Sequence, residues 1–455
     1  YQSYEEKKKS KYETLYRSVK KDITEGILKP GEKLPSKREF ARRTGVSVVT
    51  VEAAYAQLIC EGYIRSKERS GYYVSKLSPM QTAVKEKKTQ SPRREKKREI
   101  LFDLTGGVNP GSFPFSVWAR LMRETLNRPD VLVPVDFAGA YELREAISEH
   151  LLKTRGMEAN PENIIIGAGT EYLYNLTVQL FGRDKVFAVE DPGYSVIERI
   201  YAANGVKTVY MDVDGEGADA AGVFADVIHV SPSNHFPTGT VMTAARRYEL
   251  IKRISRGAYI IEDEYDSEFR LKGIPVETIW SMAGGEGGIY INTFSKSLSP
   301  TLRISYMILP SSLMRIYEKK LGFYSCAVPT FEQYTLAAFI KQGYFEKHIN
   351  RVKASSRAVR SEMLYEISNS GIDCEVIENG AGQHFLLRLN TDKKDDYISG
   401  ELLKRGVKLR FLSSYSHKNT EEHIAVISYS SLLKGSAEKA VSKIKEVLTG
   451  GICGI

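Results

Sequence analysis

Asn292-Thr-Phe-Ser-Lys-Ser-Leu-Ser-Pro-Thr-Leu-Arg303 sets a lysine, Lys296, among small hydroxyl residues, with an arginine seven positions later. Upstream lies an acidic and aromatic run, Ile261-Glu-Asp-Glu-Tyr-Asp-Ser-Glu-Phe-Arg270. Together these are the parts needed to hold pyridoxal phosphate. The lysine amine condenses with the cofactor aldehyde, an upstream carboxylate keeps the pyridine nitrogen protonated, and hydroxyls with an arginine hold the phosphate.

The chain has 455 residues, 42% of them hydrophobic, which is enough for two or three domains with substantial cores. Lacking an 18-residue apolar run or a signal-like N-terminus, it is expected to be neither membrane-spanning nor secreted. Cys60, Cys326, Cys374 and Cys453 have no metal-ligand spacing, and a reducing, cytoplasmic setting is expected. The net charge of +9 is unevenly spread. Residues 1–99 carry 25 Lys and Arg against 13 Asp and Glu, so the remainder is slightly acidic. A basic block of this kind predicts a polyanionic partner, because each phosphate it neutralises releases counterions.

Residues 1–76 read as a small DNA-binding domain. Apolar residues at Leu15, Tyr16, Val19, Ile23 and Ile27 predict a helix over 12–28, stopped by Lys29-Pro30-Gly31. Ser36 can cap a second helix through Arg43, Gly45 turns the chain, and Ser47 can cap a third through about Cys60. Gly62–Arg65 and Arg69–Val74 then alternate as two short strands. Residues 77–99 are polar, basic and nearly free of large apolar side chains, and are expected to be a flexible linker. From residue 100 to 455, short apolar runs alternate with helical patterns, which predicts an α/β domain. Candidate strands are Ile164–Ile166, Val186–Val189, Val227–Val230, Tyr259–Ile261 and Ile289–Ile291. Beyond about residue 340, helices mix with strands such as His384–Leu389 and Ile424–Tyr429, predicting a smaller α+β subdomain over 340–455.

The pieces Leu34-Pro-Ser-Lys-Arg-Glu-Phe-Ala41, Gly45-Val-Ser-Val-Val-Thr-Val51, Glu61-Gly-Tyr-Ile64 and Gly71 resemble, in order, the winged helix-turn-helix of GntR-type bacterial regulators. The resemblance implies that Ser47, Val49 and Thr50 open a recognition helix facing the major groove. Arg38 would then sit by phosphates or base edges, with Arg65, Lys67 and Arg69 on the wing. Position 48, frequently arginine in that family, is valine here.

Residues 100–455 resemble the class I/II aminotransferase domain of fold type I, with a large, mixed and mostly parallel sheet. The whole chain is therefore similar to MocR/GabR-type regulators. The resemblance implies Lys296 as the Schiff-base lysine, Arg303, Thr293, Ser295, Gly169 and Thr170 around the phosphate, and Asp263 facing the pyridine nitrogen. It also implies Tyr265 at the cofactor phenolate, Tyr194 stacked on the ring, and Asn234 along the ring edge. His384 falls at an effector-pocket position. Amino-acid-binding members carry an arginine before a Leu-Ser-Phe-Ser-like strand, and the matching position in Ala425-Val-Ile-Ser-Tyr-Ser430 is Val426. A valine cannot clamp a carboxylate as an arginine fork does. Either Arg388 or Arg410 takes that place, or the ligand is not a simple α-amino acid.

The expected protein is a cytoplasmic transcription regulator that binds promoter DNA, forms a head-to-tail homodimer, and senses pyridoxal phosphate or an amine that reacts with it. A working aminotransferase carrying a DNA anchor is the competing expectation.

Overall fold

The computed structural model describes residues 11–76, 99–270, 275–377, 382–418 and 421–450. The expected linker, apart from Glu99, and Cys453 lie outside them. The chain divides into two compact units, residues 1–95 and 96–455, each described by itself.

In the first unit, helices Lys11–Thr24, Lys37–Thr44 and Val48–Cys60 pack with a three-stranded sheet of order β1-β3-β2, namely β1 (Lys33–Leu34), β2 (Ile64–Lys67) and β3 (Gly71–Val74). Ser36 Oγ accepts from the Glu39 N–H (3.2 Å), and Ser47 Oγ accepts from the Thr50 N–H (3.1 Å), so each serine caps its helix. Gly45 turns the chain between them at φ 68°. The first helix ends at Thr24, short of the expected Leu28. Gly26 takes φ 77° and the Leu28 N–H donates back to the Asp22 carbonyl (2.9 Å), which closes the helix before the proline is reached. Strand β1, absent from the sequence reading, is only two residues long. The core includes Leu15, Val19, Ile23, Leu34, Ala41, Val51, Ala54, Tyr55, Leu58, Ile64 and Val74.

The second unit is built on an eight-stranded sheet of order β5-β12-β11-β10-β9-β6-β7-β8. These strands are β5 (Ile164–Gly167), β6 (Val186–Asp191), β7 (Lys207–Asp214), β8 (Gly217–Ala218), β9 (Val227–Val230), β10 (Tyr259–Asp263), β11 (Gly288–Thr293) and β12 (Ser305–Ile308). Pairing is parallel from β11 through β7, whereas β12 runs antiparallel to both its neighbours. Central strands such as Val-Ile-His-Val and Gly-Ile-Tyr-Ile-Asn-Thr are buried along their whole length, which is why they read as continuous apolar runs. Helices Thr170–Phe181, Ser195–Ala203 and Ala244–Ile254 form the crossovers.

A second, antiparallel sheet of order β13-β14-β17-β16 contains β13 (Cys374–Ile377), β14 (His384–Leu389), β16 (Arg410–Phe411) and β17 (Ile424–Ser428). Helices Tyr344–Asn369, Asp395–Lys404 and Ala437–Thr449 contribute to the core that this sheet shares. Strand β15 (Val407–Lys408) pairs in parallel with β4 (Phe102–Asp103), so residues at the start of the unit join strands near its end.

Candidate functional site

The motifs singled out in the sequence converge because they follow the carboxyl ends of parallel strands: 167–170 after β5, 190–194 after β6, 231–239 after β9, 263–266 after β10 and 293–297 after β11. In open α/β sheets ligands bind at this edge.

Asp263 ends β10 and is buried. Its Oδ2 accepts a short hydrogen bond from the Tyr174 hydroxyl and lies 3.6 Å from His229 Nε2, while Oδ1 has no protein partner. The His229 Nδ1 meets the Tyr201 hydroxyl at 2.7 Å. A buried carboxylate oxygen left open on one side, and braced on the other, suits a protonated ring nitrogen. The Ser295 hydroxyl is likewise buried without a partner. Gly169 has φ 95°, and a β-carbon there would collide with the Arg303 guanidinium. The helix beginning at Thr170 turns its free N–H groups toward the same place, an anion site. Arg303, itself at φ 52°, pairs with Glu171 (3.0 Å). Buried Asp263 Oδ1 and Ser295 Oγ, with the Gly169 cradle, fit the nitrogen and phosphate ends of pyridoxal phosphate. Thr293 is different: its hydroxyl accepts from the Ser295 N–H (3.1 Å) and the Ser305 hydroxyl (2.7 Å), so it braces the loop behind the site instead of being free for a phosphate.

Lys296 is partly buried, and desolvation of its ammonium lowers its pKa, with Asp266 and Asp103 opposing the shift. The neutral amine, which a lowered pKa favours, is the form that attacks a carbonyl. Gly106, at φ 117°, lies over the lysine, and a β-carbon there would come 3.6 Å from Nζ. Burial pushes the Asp266 carboxyl up to about 7, against the hydrogen bond from Asn234 Nδ2 (2.7 Å) and the charge of Lys296. Asn234 Nδ2 also reaches the Tyr265 hydroxyl (3.1 Å), whose pKa burial raises, keeping it a donor. Tyr194 starts the Ser195–Ala203 helix, is 44% exposed, and packs edge-on to Phe236 at 6.2 Å. Beneath it a cavity of about 330 Å³ is lined by Glu190, His229, Tyr415 and His417, among others.

At the other end of the site, Val426, Leu386, Ile424 and Tyr415 form a buried apolar cluster joined by Phe236. His384 Nε2 donates to the Pro237 carbonyl (3.0 Å), so the effector-pocket histidine is a strut between β14 and the 231–239 turn. Burial brings its pKa down to about 4, leaving it neutral. Arg388 is not brought to the site. It sits four residues farther along β14, roughly 13 Å away at strand rise, exposed and paired with Glu375 (2.6 Å). Arg410 is the cross-strand partner of Val426 and is exposed, and its charge acts on both Tyr415 and Tyr194.

In the first unit Arg38, Ser47, Val49, Arg65, Lys67 and Arg69 are exposed, and Thr50 is partly so. Ser47 and Thr50 share a 2.8 Å hydroxyl contact, so each is engaged in the helix cap. Arg69 stands at φ 56° in the β2–β3 turn. Sequence reasoning missed His229, Tyr174, Tyr201, Gly106 and Phe236. A histidine inside the apolar run Val227–Val230 was the one available signal.

Residues 99–421 match the family described as aminotransferase class I and II, and residues 11–74 match bacterial regulatory proteins, gntR family. The HTH-type transcriptional regulator YdeL of Bacillus subtilis (strain 168) is 35% identical, covering 95% of this chain and 96% of its own. The HTH-type pyridoxine biosynthesis transcriptional regulator PdxR of Corynebacterium glutamicum is 29% identical, covering 88% of each chain. An archaeal alanine:glyoxylate aminotransferase shares the fold of the second unit at TM-score 0.70 and 23% identity, over 78% of this chain and 92% of its own. With a gntR-family DNA-binding unit in front of a pyridoxal phosphate-binding, class I/II aminotransferase-like domain, the chain belongs to the MocR/GabR-type transcription regulators.

Proposed function

We propose that this regulator binds promoter DNA as a homodimer and reads pyridoxal phosphate itself, through Lys296, as its signal. The observation that carries the reading is the contrast between the two ends of the site. Asp263 and Ser295 leave buried polar atoms open toward the cofactor, whereas the end expected to clamp a substrate carboxylate is closed by Val426, Leu386 and Phe236. Bound pyridoxal phosphate supplies an aldehyde for the lysine amine and an electron-accepting ring. Lys296, Ser295, Thr170 and Arg303 would hold it, with Gly169 leaving room; Asp263 would orient the ring nitrogen, Tyr265 and Asn234 would serve the phenolate, and Tyr194 would cover the ring.

The contacts that tie the two subdomains surround these residues. The Gly193 N–H donates to the Tyr415 carbonyl (2.9 Å), the His417 N–H to Asp191 (2.8 Å), and His384 to Pro237. Occupancy that moves Tyr194, next to Gly193, therefore acts on the subdomain position, the two-state element that such coupling needs. The relative named for pyridoxine biosynthesis supports a role in control of vitamin B6 supply. Arg410 favours a second reading, an amine effector whose acidic group reaches the edge strand. Measuring promoter affinity of full-length apo and cofactor-loaded protein, then adding amines, tests both: identical DNA binding by the two forms would overturn the first reading.

A further inference from the structure

The first turn of the Val48–Cys60 helix exposes only apolar side chains, Val48 and Val49, and beyond it exposed Ala53 and Ala56 share the outward face with Glu52 and Gln57. Val51, Ala54, Tyr55 and Leu58 are buried, while Val48, Val49, Ala53 and Ala56 are exposed, Val49 to 73%. Positions 49, 52, 53 and 56 share one side of the helix by its period, with Glu52 the one charge among them. No lysine, arginine or asparagine occurs in this helix. Its one charged residue, Glu52, is held by Lys37, and the Gln57 amide donates to Glu61 (2.7 Å). The first turn's hydroxyls, Ser47 and Thr50, are bonded to each other.

Guanine and adenine are read in the major groove by Arg or Lys and by Asn or Gln forks, which this first turn lacks. It offers β-branched methyl groups instead. The apolar handle that the major groove presents is the 5-methyl of thymine. We propose that Val48 and Val49 read thymine methyl groups, so that each operator half-site carries T·A pairs opposite the first turn of this helix. The phosphates are left to Arg38 and Arg42 of the preceding helix and to Arg65, Lys67 and Arg69 of the wing. Among the described residues Arg38 and Arg42 make no ion pair, in contrast to Lys37 and Arg43 beside them. The cations of the preceding helix that make no ion pair favour a polyanion, DNA, as the occupant.

The test uses the full-length, cofactor-loaded protein. Operators are selected from a random duplex pool, and thymines of the enriched half-site are then replaced singly by deoxyuridine, which keeps pairing and removes only the methyl. At one or two positions per half-site the replacement should weaken binding by about fourfold, the worth of one buried methyl. Protein carrying Val48→Ala and Val49→Ala should not distinguish thymine from uracil there. Uniform tolerance of uracil across the half-site, half-sites selected without thymine, or unchanged discrimination by the alanine variant would each overturn the proposal. The uracil series on the wild-type protein decides the matter even if the variant folds poorly.

Discussion

Arg410 and Val426 stand directly opposite each other on the antiparallel strands β16 and β17, so both side chains leave the same face of the small sheet. That face is the one bearing the apolar cluster of Leu386, Tyr415 and Phe236. A cation is therefore present one strand away from where a carboxylate clamp would be expected, at the exposed edge. Val426→Arg should restore a clamp within the buried cluster. A charge-assisted fork contributes on the order of 1.5–3 kcal/mol, so simple α-amino acids should perturb the cofactor spectrum of the variant at concentrations at least tenfold lower than for the wild type. Wild-type protein responding to a common α-amino acid at micromolar concentration would show that Val426 is no barrier.

Lys296 carries the covalent prediction. Purified protein supplied with pyridoxal phosphate should be yellow, and borohydride should fix the cofactor mass on the peptide containing Lys296. Lys296→Ala should remove both signals, and with them any difference in operator affinity between protein prepared with and without cofactor. A reduced cofactor adduct on another residue would move the site.

The DNA-binding unit makes a prediction that separates phosphate from base contacts. If Arg38 meets a phosphate, Arg38→Ala should weaken all duplexes alike and reduce the slope of log affinity against log salt by about one. If it meets a base, the loss should be about 1–3 kcal/mol on the operator and small on random duplex. Operator affinity unchanged by the substitution would take Arg38 out of the interface.

Much of this architecture was written locally. The lysine motif, the Asp263 run and the two serine caps each lie within a dozen residues, and their chemistry follows from neighbours in the chain. What was illegible depended on distant partners. His229 and Tyr174 brace Asp263 from separate elements, and β4 is defined only by pairing with β15, three hundred residues on. Strand β7 is half-exposed and mixes Lys, Thr, Tyr and Asp, so it lacks the apolar run that revealed β9. Arg388 misled because an arginine near a pocket motif carries no sign of which way its strand continues. The structure spends it on Glu375.

Glu190 and His235 yield the pH prediction. They lie 3.5 Å apart, both buried, and burial drives them in opposite senses: the Glu190 carboxyl is pushed up to about 8 and the His235 imidazole down to about 3. Between those values both are neutral, so the contact is not an ion pair. Two Ser231 N–H contacts (3.2 Å) favour the Glu190 anion but do not offset its desolvation, and nearby Asp263 adds to the upward shift. The linkage has a definite sign. An unfolded glutamate ionises near 4.5, whereas the folded one holds its proton to about 8, so stability from this group is complete below 4.5 and is lost as pH rises to 8. The slope is at most about 1.4 kcal/mol for each pH unit. Glu190→Gln imitates the protonated carboxyl, keeping an acceptor for the Ser231 N–H and removing the group that ionises. Melting temperatures of the two cofactor-loaded proteins should nearly coincide at pH 5 and diverge by pH 8, with the glutamine variant the more stable. The comparison removes the parallel contribution of Asp266, which the two proteins share. Curves that stay parallel from pH 5 to 8, or a variant that loses stability faster than the wild type, would mean that Glu190 is ionised in the folded protein.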